Sequence, residues 1–426
     1  MKEPFYEKHD QYIFPCVSNY YKEPLVLEKG EGHYLTDVEG NEYLDFFGGI
    51  LTVSLGHCNK EVTEKVVEQY RTLQHCSTLY QNKPALQYAE ELARVTPGKL
   101  QKSFFTNSGS EADEHAVLLA QMATGKEEVI TRRHAYSGAS TLTMAMTGLS
   151  QFRLGTNFGY LRFAHAPYCY RCPFGKSYPG CELICAKDIE DLIKTSTRGE
   201  VAAFVAEPIM GVGGFITPPP EYFKEVERII RKYGGLFISD EVQTGWGRTG
   251  GKMFGIEQWG VEPDIMTMAK GAANGLPIGI TIASSQVADH FKGAHISTFG
   301  GNPVTMAGAL ATLNYIEENN IPENCRVMGD YLRDELEALK EKYPVIGDIR
   351  GMGLILGLEL VKEDKSPNAE LVNKLFEETK KQGLLIGKGG LYGNVVRVTP
   401  AMNVGKADID EAVKMLDEAF AAAVKD

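Results

Sequence analysis

The chain has 426 residues, 43% of them hydrophobic and 23% charged, which suffices for one large domain or two closely joined ones around a buried core. Forty-four basic residues against 56 acidic ones leave a formal charge of -12, which argues against a broad nucleic-acid face, because phosphate backbones are bound through clustered Lys and Arg. No apolar run approaches the roughly 20 residues of a membrane helix, and the opening MKEPFYEKHDQYIFP lacks the apolar core of a secretory signal, so a cytoplasmic protein with reduced thiols and no membrane partner is expected.

In chain order, GHYLTDVEGNEYLDFFGG predicts a short hairpin turning at EGN. FFTNSGSEADEHAVLLAQMATG (104–125) leads a strand-like FF through a Ser/Gly turn into a helix. VAAFVAEPI (201–209), the amphipathic EYFKEVERIIRKYGG (221–235), LFISDE (236–241), DIMTMAK (264–270) and IGITIAS (278–284) alternate apolar strands with helical pattern. That is the signature of a mostly parallel sheet covered on both faces, whose ligands sit at the carboxyl ends of the strands. From about residue 302 the pattern turns to helices near 303–318 and 325–342, a strand pair in IGDIRGMGLILGLELV, and helices near 368–383 and 407–424. No repeat or flexible linker divides the chain. The expected fold is α/β: a large domain over 56–310, a smaller α+β domain over 311–426, and an N-terminal segment, 1–55, packing on the smaller one.

Three places look chemical. LFISDE delivers Asp240 and Glu241 to a strand end, where the plain reading is a helix cap or a surface pair. Lys270 closes the next apolar run and is followed by Gly-Ala-Ala-Asn-Gly, a tail small enough to let a ligand approach; the plain reading is a snorkelling strand-end lysine. An amine and a carboxylate at neighbouring strand ends suit a Schiff-base lysine facing an acid that keeps a ring nitrogen protonated. Ser108, Gly109 and Ser110 open a helix where backbone N–H groups and hydroxyls would cup an anion, the alternative being a capping box of Ser108 with Glu111. Without the Gly-Lys-Ser/Thr of a nucleotide loop, a single phosphate monoester suits the turn better than a triphosphate. Aldehyde, ring and phosphate partners together describe a pyridoxal 5'-phosphate site.

FFTNSGSEA, HAYSG, AEPIMGVGGF, DEVQTGWGRTG, PDIMTMAKG, STFGGNP and RGMGLILGLELV occur in the order in which the chain resembles the class III aminotransferases, within the fold type I pyridoxal phosphate enzymes. The resemblance spans nearly the whole length and is greatest to the mitochondrial-type alanine:glyoxylate aminotransferase group and its bacterial relatives. It implies that Lys270 forms the Schiff base and carries the proton, and that Asp240 binds the pyridine nitrogen. It implies further that Tyr136 and Val242 pack on the two ring faces, that Gln243 lies near the phenolic oxygen, and that Ser108, Gly109, Ser110, Ser137 and Glu207 complete the cofactor pocket. Thr298 would reach the phosphate of a partner subunit's cofactor, making a homodimer the minimum unit and leaving a tetramer open. Arg397 would bind the substrate carboxylate, Glu207 would pair with it when no α-carboxylate is present, and Ile50 and Tyr80 would line the pocket.

The implied reaction is a ping-pong transfer from alanine, β-alanine, 3-aminoisobutyrate or taurine to pyruvate, glyoxylate or 2-oxoglutarate. A dialkylglycine-type decarboxylase and a glutamate-semialdehyde-type aminomutase are the alternatives on the same fold. Common family versions read EPIQG, HAYHG, GSEANE and TGFGR where this chain has Met210, Ser137, Asp113 and Trp246. Met210 and Ser137 are expected to alter pocket polarity. Finally, Cys169, Cys172, Cys181 and Cys185 form a C-x2-C-x8-C-x3-C array. Two readings stay open: a structural Zn2+ held by four thiolates, or reduced, partly buried cysteines in a long loop.

Overall fold

The computed structural model describes residues 5–155 and 157–425. Its centre is a seven-stranded sheet in the order Leu100–Thr106, Gly279–Ser284, Ile265–Met268, Leu236–Asp240, Ala203–Ala206, Val129–Arg132, Leu161–Ala164. The last five run parallel to one another, and Gly279–Ser284 runs antiparallel to both its neighbours. Every residue of Val129–Arg132, Ala203–Ala206 and Ile265–Met268 is buried, which is why these strands read as continuous apolar runs rather than as alternation.

Helices cover the sheet. Gly109–Thr124 lies on the strands Ile265–Met268 and Gly279–Ser284. Tyr222–Lys232 buries Tyr222, Phe223, Val226, Ile229 and Ile230, the one-sided stripe of a 3.6-residue period. It stops short of the expected residue 235 because Gly234 takes a left-handed φ of 69° that ends the helical hydrogen bonding.

The C-terminal region is a second, antiparallel sheet, in the order Ile346–Met352, Ile355–Leu360, Val395–Val398, Gly387–Gly389. The helices Ile321–Lys342, Ala369–Gln382 and Lys406–Ala423 accompany it, while Pro303–Glu318 packs on the helices Lys60–Thr72 and Lys83–Val95 and on the turn Lys270–Ala273. Ile321–Lys342 begins a turn earlier than the expected residue 325, because Asn320 turns into the left-handed region and Pro322, which lacks an N–H to satisfy, fits the first turn. The predicted hairpin forms between Tyr34–Asp37 and Glu42–Asp45, its turn held by the Asp37 carboxylate, which accepts from the N–H groups of Glu39 and Asn41 at 2.9 Å each. A third strand, Leu27–Glu31, is added; its polar, mostly exposed LEKGE carries no apolar signal. Glu42–Asp45 pairs in parallel with Leu384–Leu385, so the two ends of the chain meet in one sheet.

The four-cysteine segment does not form the zinc site that its spacing left open. Among the described residues no group of three or more His, Cys, Asp or Glu side chains is arranged to hold a metal ion. All four are free thiols lining one small cavity. Burial pushes Cys185 up to about 12, with Cys169 and Cys181 adding to the shift, so it stays a neutral thiol. What anchors the loop is charge: Arg171 pairs with Glu359 of the strand Ile355–Leu360, and that carboxylate also meets Arg350 at 2.6 Å. Among the described residues no helix is long and apolar enough to cross a membrane.

Candidate active site

The adjacent parallel strands Leu236–Asp240 and Ile265–Met268 place Asp240 beside Thr267. Lys270 follows two residues beyond Met268, so both groups stand at the carboxyl edge of the sheet. The strand ends before the lysine: Lys270 opens a short 3-10 turn, Lys270–Ala273, with φ of 44°. A non-glycine residue there costs roughly 1–2 kcal/mol and persists only where neighbours fix it. Asn274 does so, accepting from the Leu55 N–H at 2.8 Å and donating to the Gly56 carbonyl at 3.1 Å. The small tail serves this packing rather than ligand approach: a Cβ on Gly271 would lie 2.6 Å from the Ser54 hydroxyl, and Ala272 and Ala273 are buried.

Asp240 is 4% exposed, and its Oδ1 accepts from the Val242 N–H at 3.0 Å. Burial pushes its carboxyl up, while the Val242 N–H and the Lys270 ammonium pull it back. Burial pushes Lys270 down; the Asp240 carboxylate opposes that and the Arg397 guanidinium reinforces it. A lysine so placed holds its proton less tightly than one in water.

Across from this pair, Gly109 opens the helix Gly109–Thr124. A Cβ at Gly109 would lie 3.2 Å from Val242 and 3.5 Å from Ala269, so the turn closes directly over the residue before Lys270. Ser108 caps the helix: its hydroxyl accepts from the Glu111 N–H and donates to the Glu111 carboxylate, both at 3.2 Å. The capping reading therefore holds for its side chain, and the backbone N–H groups of Gly109 and Ser110, which have no intrahelical acceptor, are left to receive an anion. The Ser110 hydroxyl accepts from the Ala139 N–H at 3.0 Å and ties the turn to the HAYSG loop. In that loop the Ser137 N–H is bound by Thr147 at 3.1 Å and the Tyr136 ring sits edge-on to Phe152.

The expected pairing of Glu207 with Arg397 is absent. Glu207 instead accepts from the Gly211 N–H at 2.7 Å and the Tyr136 N–H at 3.2 Å. Burial and the Asp240 carboxylate push it up to about 7. Arg397, 2% exposed, donates to the Gln243 side-chain carbonyl at 2.8 Å and is stacked between Phe215 and Phe47, 4.8 and 5.4 Å from their ring centres. Its buried Nε has no partner. Burial brings its pKa down to about 10, which still leaves it a cation at neutral pH.

Thr298 and Tyr80 are not brought to this site; both are exposed. Their segments pack on each other through the His75 and Phe299 rings, 5.3 Å apart, and the Asn82 side chain, which donates to the Gly301 carbonyl at 3.1 Å. Ile50 is 43% exposed beside the buried turn at Gly48. Met210 is fully buried, packed with Ala135, Ala166, Tyr168 and Ile216.

One participant carried no local signal. Arg132 is a buried guanidinium that donates to the Glu207 carbonyl, with its Nε and Nη1 unpartnered. Glu241 is neither a cap nor a surface residue. Wholly buried, it accepts from Thr244 at 2.5 Å, Ile256 N–H at 2.7 Å, Gly255 N–H at 2.9 Å and Ser239 at 3.2 Å. It therefore fixes the loop that carries Val242 and Gln243. Glu241→Ala should strand these donors and lower unfolding stability by about 3 kcal/mol or more, as each orphaned buried group costs roughly 1–3 kcal/mol; urea denaturation checks this.

A wide parallel sheet with an amine, a carboxylate and an anion-receiving helix start at its carboxyl edge defines an enzyme of amino-group chemistry. The family model for aminotransferase class III matches residues 17–420. The chain is 40% identical to alanine–glyoxylate aminotransferase 2 homolog 2, mitochondrial, of Arabidopsis thaliana, covering 96% of this chain and 86% of the relative. It is 37% identical to taurine–pyruvate aminotransferase of Bilophila wadsworthia, with 93% and 92% covered. A crystal structure of a Bacillus anthracis aminotransferase superposes with a TM-score of 0.92 at 33% identity, covering 98% of each chain. The chain belongs to the class III aminotransferases, a family dependent on pyridoxal 5'-phosphate.

The residues present fit that cofactor. Asp240 is a buried carboxylate that accepts from a backbone N–H, the first helical turn offers free N–H groups, and the helix start approaches so closely that a Cβ on Gly109 would lie 3.2 Å from Val242.

Proposed function

We propose that the enzyme transfers the amino group of an amino acid or ω-amino acid to a small keto acid in two half-reactions at one site. Candidate donors are alanine, β-alanine, 3-aminoisobutyrate and taurine; candidate acceptors are pyruvate, glyoxylate and 2-oxoglutarate. The bound cofactor supplies an aldehyde that captures the amine and a ring that accepts electrons. In this reading Gly109 and Ser110 bind its phosphate, Val242 and Tyr136 flank its ring, and Asp240 accepts the hydrogen bond of its protonated nitrogen. Lys270 would hold it, then take the proton from the substrate carbon that bears the amino group and deliver it to the cofactor carbon that carried the aldehyde.

The observation that carries the substrate reading is Arg397. It is a buried cation bound to a neutral amide rather than a carboxylate, walled by Phe47 and Phe215, with its Nε still to be satisfied. Such a group receives a carboxylate, or the sulfonate of a taurine-like donor, through two parallel hydrogen bonds. With Glu207 tied to Gly211 and Tyr136, its carboxylate acts on Arg397 only from a distance, and the guanidinium's hydrogen bond goes to the Gln243 amide. Arg397→Met is expected to lower kcat/KM for carboxylate-bearing donors by roughly 10- to 100-fold, the worth of a hydrogen bond to a charged group, while amines without an acidic group are spared. Equal kcat/KM for alanine in both proteins would rule the assignment out.

The same reading includes a homodimer. Leu79, Tyr80, Ile296 and Phe299 are 73%, 72%, 58% and 62% exposed on the face that carries Thr298, an apolar surface that a second copy would cover. Taurine–pyruvate and alanine–glyoxylate aminotransferases among the relatives support amino transfer, and nothing in the site favours the decarboxylase or aminomutase alternatives.

A further inference from the structure

Asp113 stands where common versions of the family motif have asparagine. It lies in the helix Gly109–Thr124, 1% exposed and turned toward the sheet. Its Oδ1 accepts from the Thr267 hydroxyl at 2.6 Å. Thr267 is the register neighbour of Asp240 in the adjoining strand. The Asp113 carboxyl is thereby brought into hydrogen-bonding contact with that of Asp240. Two carboxylates in contact in a dry interior cannot both be ionised; one keeps a proton and donates it to the other.

Their surroundings decide which. Asp240 receives the Val242 N–H and faces the cations of Lys270 and Arg132. Asp113 receives one neutral hydroxyl; the Glu207 carboxyl favours its protonation, and the Lys270 ammonium, which it also faces, interacts with it less than with Asp240. We propose that Asp113 is held as a neutral carboxylic acid whose O–H donates to Asp240, making it a positioning residue that keeps Asp240 ionised and aimed at the cofactor ring. Burial pushes Asp113 well above the usual carboxylate range, in the same sense. An asparagine would supply a similar donor through its amide, so the substitution within the motif preserves the hydrogen bond while adding a proton. The inference rests on the reading of Asp240 as the ring-nitrogen partner.

The test uses holoenzyme grown with side-chain 13C-labelled aspartate, compared by infrared difference spectroscopy with D113N at neutral pH. The labelled protonated-carboxyl band is expected in the native enzyme and absent from D113N; the glutamates stay unlabelled and do not interfere. Cofactor affinity should stay within about threefold in D113N, whose amide restores the donor, and weaken roughly tenfold or more in D113A, which has none. Absence of the band from the native enzyme, or native affinity in D113A, overturns the proposal; should D113A fail to fold, the band decides alone. Failure of the underlying reading is separate: D240A with native turnover and affinity would remove the role of Asp240 whether or not the band is seen.

Discussion

Lys270→Ala is expected to lose amino transfer by at least roughly 10^4-fold, since one side chain supplies both the covalent attachment and the proton relay. The geometry leaves it no substitute. The Arg397 guanidinium acts electrostatically on Lys270, but a guanidinium does not release its proton at neutral pH. Burial pushes the Lys270 ammonium down, which makes its proton easier to give up than that of a lysine in water. The variant should fold, because Asn274 holds the turn through Leu55 and Gly56 without help from the lysine side chain. Two measurements check the assignment: steady-state turnover, and borohydride reduction followed by mass analysis of the peptide containing residue 270. Cofactor should be fixed on Lys270 in the native protein and on no residue in the variant. Turnover above about a tenth of native in the variant would return Lys270 to the status of an ordinary strand-end lysine.

That lysine was visible in the sequence for a physical reason. Strands buried on both faces read as continuous apolar runs, so a polar residue just past such a run marks the edge of the sheet where ligands bind; Lys270 and Asp240 stand out this way. The helix start at Gly109 was legible through its cap chemistry. Contacts between distant segments were not. Arg397 meets Gln243 across 154 positions and Asp113 meets Thr267 across 154, and no periodicity records either. An aspartate five residues into a helix reads as an exposed charge until the sheet is placed beneath it.

Local spacing also misleads where direction matters. The cysteine array has intervals compatible with a metal and its thiols line one cavity, yet among the described residues they form no group arranged to hold an ion, and Arg171 and Glu359 hold the segment. Glu207 stands in its expected motif, but the Gly211 and Tyr136 N–H groups claim it before Arg397 can. In each case the residue type was readable, while its partner was set by tertiary packing.

Asp240→Asn is expected to lower turnover by roughly 10^2- to 10^3-fold, the loss associated with removing one preorganised electrostatic group. The reason lies in the count of oxygens. Asp240 uses Oδ1 for the Val242 N–H, and the lone pairs of its other oxygen serve both the Asp113 O–H proposed above and the donor of the ring nitrogen. Asparagine has one oxygen. It must either release Val242, leaving a buried N–H unpaired, or turn its own amide N–H toward the ring nitrogen, which then stays unprotonated. A neutral ring accepts the electrons freed with the α-hydrogen poorly, so the step in which Lys270 takes that proton slows most. Cofactor retention should fall less than turnover, because the helix-start N–H groups and Lys270 still hold it. Parallel measurement of kcat in each half-reaction and of cofactor per chain separates the two effects. If kcat stays within about tenfold of native while cofactor is lost, Asp240 is an anchor and not an electrostatic partner; the opposite split assigns it to the chemistry.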